Sequence, residues 1–153
     1  MSRSILATAL LLVACGQSEP RLVDPAVIVA DSLPTPLTPD PGNIIRGKSV
    51  FIDREQGHCV LCHIVQGLEA EFQGNVGPDL SLVADRLSPA QLRLRIVDYQ
   101  LVRPGALMPS YYRNHDLYQV GETFADAPIL SAQQVEDLVA YLSQTEADAD
   151  DDD

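Results

Sequence analysis

Two cysteines and a histidine in one short stretch carry the clearest chemistry in the sequence, Cys59-Val60-Leu61-Cys62-His63. On a helical turn, residues three and four positions apart lie on one face, so both thiols and the imidazole can reach the same group. The pattern Cys-x-x-Cys-His is typical of covalent haem attachment, in which the thiols bond to the vinyl groups and the histidine binds the iron. The motif therefore predicts one haem c, with His63 as the proximal iron ligand.

Two other chemistries use a Cys-x-x-Cys pair. A thioredoxin-like redox pair normally follows a strand within a βαβ pattern, and the sequence shows no such pattern. Half a zinc site would need a second pair of ligands, whereas the remaining candidates are scattered singly: Cys15, His58 and His115. Haem attachment is therefore the favoured interpretation.

Met108 is the predicted sixth ligand of the iron. The sequence has two methionines, and the other is the initiator. Met108 lies in a loop between Pro104 and Pro109, and a loop stiffened by proline leaves the sulfur little freedom. His/Met ligation leaves no open iron position and suits electron transfer. Two alternatives stay open: Met108 fills a gap in the core, or His115, expected at the surface beside polar residues, is the ligand.

The N-terminus has the layout of an export signal. Residues 1–14 contain Arg3 and then an apolar run that is too short to span a bilayer. They end before Cys15 in a stretch similar to a bacterial lipobox, which predicts a lipid on the Cys15 sulfur as the only attachment to a membrane. The alternative is ordinary signal removal that leaves Cys15 free. Both place the mature protein in the periplasm, outside the cytoplasmic membrane.

Two further segments differ from a folded domain in composition. Residues 15–42 contain six prolines, which predict an extended tether rather than packed structure. Residues 146–153 are almost wholly acidic, and such a like-charge run is expected to be disordered. The net charge of −12 and the lack of a basic stripe argue against binding of nucleic acid.

The sequence is locally basic in its second half. Its arginines either bind haem propionates, steer a partner, or are ordinary solvated residues of helix faces. These residues are Arg86, Arg93, Arg95, Arg103 and Arg113.

Residues 43–145 carry helical signals and no long alternating strand pattern. Gly47 and Phe51 share one helix face, on which the glycine permits close approach of another helix. Two Ser-x-x-Gln capping boxes, beginning at Ser88 and Ser131, predict helix starts and are followed by apolar residues at helical spacing. We expect an all-α fold, a small bundle of about four or five helices around one haem.

The order of these features resembles a class I cytochrome c. A helix with Gly47 and Phe51, the Cys-x-x-Cys-His motif, Gly77-Pro78-Asp79-Leu80, a methionine loop and a last helix follow one another as in that family. The resemblance implies the class I cytochrome c fold. It also implies that the carbonyl of Pro78 accepts a hydrogen bond from His63 and so orients the ring.

Three longer strings, at residues 72–80, 91–98 and 108–112, are similar to the SoxX family of sulfur-oxidation cytochromes. That resemblance implies a monohaem subunit paired with a SoxA-type cytochrome. The complex, an L-cysteine S-thiosulfotransferase, couples thiosulfate oxidatively to a cysteine of a SoxY-type carrier. The subunit accepts the electrons, relays them to a soluble cytochrome c and is not catalytic alone.

Two other functions stay open at this stage. In the first, the chain is a lipid-tethered periplasmic electron carrier that serves an oxidase or a reaction centre. In the second, it is a haem-free binding module in which Cys59 and Cys62 form a disulfide or bind a metal. The haem motif is common to the first of these and to the sulfur-oxidation subunit, so only the longer strings distinguish them.

Overall fold

The computed structural model describes residues 21–125 and 127–144. The predicted signal, Cys15, residues 15–20 of the predicted tether and the acidic segment 146–153 lie outside the described residues. The described part contains three α-helices and four short 3-10 helices. The α-helices are α1 (Ile44–Ile52), α2 (Pro89–Asp98) and α3 (Ala132–Leu142), and the 3-10 helices are Pro25–Val27, Cys59–Leu61, Tyr99–Leu101 and Glu122–Phe124.

The described residues form no strand beyond one isolated bridge between Val29 and Ser32, so the predicted all-α class is confirmed. Of the expected four or five helices, three are α-helices, and the chain between them runs as loops and 3-10 turns. No helix in the described ranges is long and apolar enough to cross a membrane.

Helices α1 and α3 cross at very close range. A Cβ on Gly47 would overlap the backbone of Asp137 and lie 2.8 Å from the Cβ of Tyr141. One turn further along α1, Phe51 is fully buried and its ring packs edge-on against Tyr141, with centroids 5.6 Å apart. The predicted close approach at Gly47 is therefore confirmed, and it brings the first and last helices together.

Both predicted capping boxes are present. At the start of α2, the Ser88 hydroxyl accepts from the Gln91 N–H while the Gln91 side chain accepts from the Ser88 N–H. Ser131 and Gln134 repeat the arrangement at the start of α3. Each box satisfies two backbone donors that a helix start leaves free, which is why local sequence sets both starts. The apolar residues that follow form the core.

Residues 28–42 of the proline-rich segment, which we call the strap, pack against α2 and α3, so the prediction of an unpacked tether is wrong for them. Leu33 is 1% exposed, and its N–H donates to the carbonyl of Ala90 on α2. The Leu37 N–H donates to the carboxylate of Glu136 on α3. Prolines disfavour a helix in the strap, and its apolar residues pack in or against the core.

A buried ion pair fastens the strap to both helices. Arg93 and Glu136 are bonded through two hydrogen bonds of 2.7 and 2.8 Å, and each side chain is less than a tenth exposed. The third guanidinium nitrogen of Arg93, Nη1, donates to the Leu33 carbonyl at 2.9 Å. Such a pair is stable only when its other polar atoms are also satisfied, and the strap backbone satisfies them here.

Most arginines of the locally basic stretch thus make ion pairs or hydrogen bonds with other residues of the chain. Arg95 pairs with Asp31 of the strap at 2.9 Å, Arg113 pairs with Asp98 at 3.0 Å, and Arg86 donates to the Asp79 carbonyl. These contacts favour a structural role for the stretch over partner steering.

Candidate haem site

The Cys-x-x-Cys-His motif forms the predicted helical turn. Cys59–Leu61 is a 3-10 helix, and the N–H groups of Cys62 and His63 both donate to the Cys59 carbonyl, at 3.1 and 2.9 Å. His58, just before it, has a left-handed backbone with φ of 47°, which turns the chain into the motif. The turn places the two sulfurs and the imidazole on one short segment.

The two thiols are present as free cysteines and are not joined in a disulfide. Burial raises the pKa of the Cys59 thiol to about 12. Within the described ranges, no group of three or more His, Cys, Asp or Glu side chains is placed to hold a metal ion. Among the described residues, the zinc alternative therefore lacks further ligands, and the redox-pair alternative lacks a strand leading into the motif.

The ring of His63 is held by the following loop. Its Nδ1 lies 2.8 Å from the carbonyl oxygen of Pro78, the contact that the family resemblance implies. With Nδ1–H donating to that oxygen, Nε2 is the ring nitrogen left to bind a metal. The ring also packs directly on Gly77, where a Cβ would lie 2.6 Å from Nδ1. Only glycine fits at this position without moving the ring.

Residues 73–80 form a cradle for the motif. The N–H groups of Gly74, Gly77 and Leu80 donate to carbonyls of the motif segment at 2.8 Å each, and their acceptors are Val60, Cys62 and Ile64. A Cβ on Gly74 would overlap the Leu61 carbonyl, so this glycine too is required by close approach. The cradle satisfies backbone acceptors of a turn too short to satisfy them itself.

The predicted distal ligand lies in a loop anchored at its far end. Met108 is partly buried, in the loop that follows the Tyr99–Leu101 helix. Beyond it, the N–H groups of Tyr111 and Tyr112 donate to the carbonyls of Ile96 and Val97 near the end of α2. His115, expected at the surface, is instead partly buried, and its Nδ1 has no hydrogen-bond partner in the described part of the chain.

Tyr111 links the methionine loop to the haem motif, and sequence reasoning missed it. Burial raises the pKa of the Tyr111 hydroxyl, and negative charge on the sulfurs of Cys59 and Cys62 would raise the pKa further. Tyr111, three positions after Met108, and Cys59 of the motif both pack against the same apolar core. The fold thus brings the methionine loop to the side of the motif. The sequence signal that could have identified Tyr111 was its position three residues after Met108.

The residues fit a haem. Two sulfurs lie on one turn, the Nδ1 atom of His63 is held by Pro78, and the end of the methionine loop packs through Tyr111 against the same core as Cys59. Large apolar side chains are exposed in the motif turn, in the cradle and in the methionine loop, where they could contact an apolar macrocycle. They are Leu61, Val76 and Leu107.

Comparison with known proteins agrees with this geometry. The sequence model of the family described as Cytochrome c matches residues 44–146. The fold is similar to a chain of the crystal structure of SoxXA from P. pantotrophus, with a TM-score of 0.71 and 34% sequence identity, over 75% of this chain and 90% of that chain. No match was found among curated protein sequences.

The chain therefore belongs to the cytochrome c family. Its helical fold is that of a class I cytochrome c, and its cofactor is a covalently bound haem c. Within the family it is a cytochrome of the SoxX type.

Proposed function

We propose that Cys59 and Cys62 carry the haem and that His63 and Met108 are the ligands that would bind its iron. The turn at the motif supports the first three assignments, and the Pro78 contact supports His63 as an oriented ligand. Met108 is supported by its loop, whose Tyr111 packs against the same core as Cys59. A bound haem supplies a one-electron couple between ferric and ferrous iron.

The residues around the iron determine what that couple is used for. In this assignment His63 and Met108 would both bind the iron, so no iron position would be left for a small substrate. The cradle holds the His63 ring against rotation, which limits the rearrangement that accompanies electron transfer. The chain is accordingly an electron-transfer protein rather than an independent catalyst.

We propose further that the chain is the small subunit of a SoxAX-type complex, paired with a SoxA-type cytochrome. The observation that carries this proposal is its similarity to a chain of SoxXA over most of both lengths. In the proposed reaction, a carrier thiol of SoxY type and thiosulfate form a sulfur–sulfur bond, and one proton and two electrons leave. This subunit takes the electrons one at a time and passes them to a soluble cytochrome c.

Co-expression tests this function directly. The chain, purified with a SoxA-type cytochrome, should form a stable one-to-one complex in which thiosulfate plus the carrier protein reduces the haem of this subunit. The matched control is the subunit alone, which should remain oxidised with the same additions. Reduction of the isolated subunit by thiosulfate, or failure to bind that cytochrome at micromolar concentration, would favour the simple electron carrier instead.

We also propose a periplasmic location with a lipid on Cys15, supported by the signal-like composition of residues 1–14. Mass spectrometry of the mature N-terminus of exported protein tests it. A diacylated Cys15 is the expected result, and a mature chain that begins at another residue would contradict it. Cys15→Ser should release the protein from membranes without changing its haem content, because the haem motif begins only at Cys59.

A further inference from the structure

A buried carboxylate at the end of α2 has no role in the function described so far. Asp98 is 3% exposed and closes α2. Its carboxylate accepts hydrogen bonds from the Ser110 hydroxyl at 2.5 Å, from Arg113 Nη1 at 3.0 Å and from the Gln100 N–H at 3.1 Å. A buried carboxylate is retained only with such partners, because an unpaired buried charge is costly. We call Asp98, Ser110 and Arg113 the Asp98 cluster.

The Asp98 cluster joins the two ends of the methionine loop. Gln100 precedes the loop, whereas Ser110 and Arg113 follow it, and Ser110 is only two positions after Met108. Ser110 is itself buried, at 8% exposed. The carboxylate therefore binds the chain before and after the predicted ligand at a single point.

The loop between these anchors has few other restraints. Its entry is held by the N–H groups of Val102 and Arg103, which both donate to the Tyr99 carbonyl, and by a turn hydrogen bond from the Ala106 N–H to the Arg103 carbonyl. Leu107, directly before Met108, is 89% exposed. After Met108, the main chain is next bonded to α2 at Tyr111. The hydroxyl of Ser110 is thus the first contact on the C-terminal side that ties the ligand region to the buried part of α2.

We infer that Asp98 is a positioning residue for the distal ligand: through Ser110 and Arg113 it holds the loop so that the Met108 sulfur stays on the haem iron. The inference rests on the proposed assignment of Met108. Asp98 acts on the loop and not on the iron. Its loss should therefore loosen the iron–sulfur bond while the haem remains covalently attached at Cys59 and Cys62.

The consequence is measurable as competition between the Met108 sulfur and an external ligand for the sixth position of the iron. A methionine that is released more often leaves the iron open for a larger fraction of the time, and an external ligand binds more tightly in proportion to that fraction. Loss of a hydrogen bond to a buried charged group changes such an equilibrium on the order of tenfold. The reduction potential should fall at the same time, because methionine ligation raises it.

The test uses the purified haem protein and imidazole as the external ligand of the ferric form. Asp98→Asn and the milder Ser110→Ala should each bind imidazole on the order of tenfold more tightly than wild type. Both should weaken the near-infrared sulfur-to-iron band and lower the potential, with unchanged haem content. Ser49→Ala and Asp85→Asn make the same chemical changes at exposed positions and should match wild type.

Two further variants separate the possible causes. Asn43→Ala removes the N-cap of α1 and lowers overall stability away from the loop, so it should leave imidazole affinity unchanged. If it tightened imidazole binding as much as Ser110→Ala, the Asp98 cluster would have no specific effect. Met108→Ala should abolish the band. If it does so while Asp98→Asn and Ser110→Ala behave as wild type, the positioning role is wrong and the ligand assignment stands. An unchanged band in Met108→Ala would overturn the ligand assignment itself.

Discussion

The imidazole of His63 lies directly on the backbone of Gly77, in the space where any other residue would place its Cβ. The next residue, Pro78, offers its carbonyl to the same ring at 2.8 Å. Two consecutive residues therefore fix both the plane and the rotation of the proposed iron ligand. A proline at the second position also fixes its own φ, which helps to hold the carbonyl in place.

Replacement of Gly77 by alanine should displace the His63 ring. The added methyl would overlap the ring, and overpacking of this kind costs about 1–3 kcal/mol. We expect a lower yield of haem-loaded protein and a shifted potential, measured by haem content per chain and by redox titration. The control is Gly121→Ala, since a Cβ at Gly121 meets open space and its φ of −64° suits any residue. Equal haem content and potential in all three proteins would contradict the role of Gly77.

Loss of both attachment thiols should prevent covalent haem binding. In the double variant Cys59→Ala and Cys62→Ala, the polypeptide should lack the haem stain that survives denaturation, and less folded protein should accumulate because a small domain depends on its cofactor for much of its core. The measurements are haem-stained denaturing gels and the reduced-minus-oxidised visible spectrum. A covalent haem in the double variant would refute the attachment site.

The two candidates for the sixth iron position should respond differently to substitution. Met108→Ala should remove the near-infrared sulfur-to-iron band and lower the reduction potential, because the thioether is replaced by a weaker or external ligand. His115→Ala is the matched control and should keep both properties, although it removes a partly buried ring. Loss of native ligation in the His115 variant instead would make His115 the ligand.

The buried pair of Arg93 and Glu136 should be essential to the strap. Arg93→Ala leaves the Glu136 carboxylate buried without its cation and should lower the free energy of unfolding by about 3–5 kcal/mol. Urea titration measures the loss, and limited proteolysis should cut residues 28–42 faster. Arg54→Ala removes an exposed arginine paired with exposed Glu71 and should change stability by less than about 1 kcal/mol. A comparable loss in both variants would argue against the pair as the anchor.

Ionisation of Asp137 should make the free energy of unfolding depend on pH in the acid range. Burial alone would raise its pKa, but hydrogen bonds from Arg46, Gln133 and the Asn43 N–H bring the pKa below the ordinary value. Its stabilising contribution is therefore complete above the unfolded pKa of about 4 and is lost as the pH falls through the lower folded value.

The acid part of the stability profile tests this. The free energy of unfolding of wild type should fall as the pH is lowered below about 5, and Asp137→Asn should flatten part of that slope. Ser88→Ala removes an N-cap and no titrating group, so it should lower stability by about 1 kcal/mol at every pH and keep the wild-type slope. An identical slope in Asp137→Asn would contradict the contribution of Asp137.

Several features of the protein depend on contacts between near neighbours in the chain. The capping boxes at Ser88 and Ser131 pair residues three positions apart, and the turn at Cys59 brings its ligands together within five residues. Phe51 and Gly47 share a face because of helical geometry. Interactions of this kind are visible in sequence, since the backbone alone determines which side chains meet.

The sequence by itself therefore determined the haem motif, the starts of α2 and α3, and the glycine at the helix crossing. Only the tertiary structure decided that the proline-rich strap packs, because the burial of Leu33 depends on α2, far along the chain. Likewise Arg93, Glu136 and Asp98 look like surface residues by composition, since an isolated charge avoids the interior. They are buried here because the fold brings each one a partner, and partners separated by long stretches of chain are set by packing rather than by local pattern.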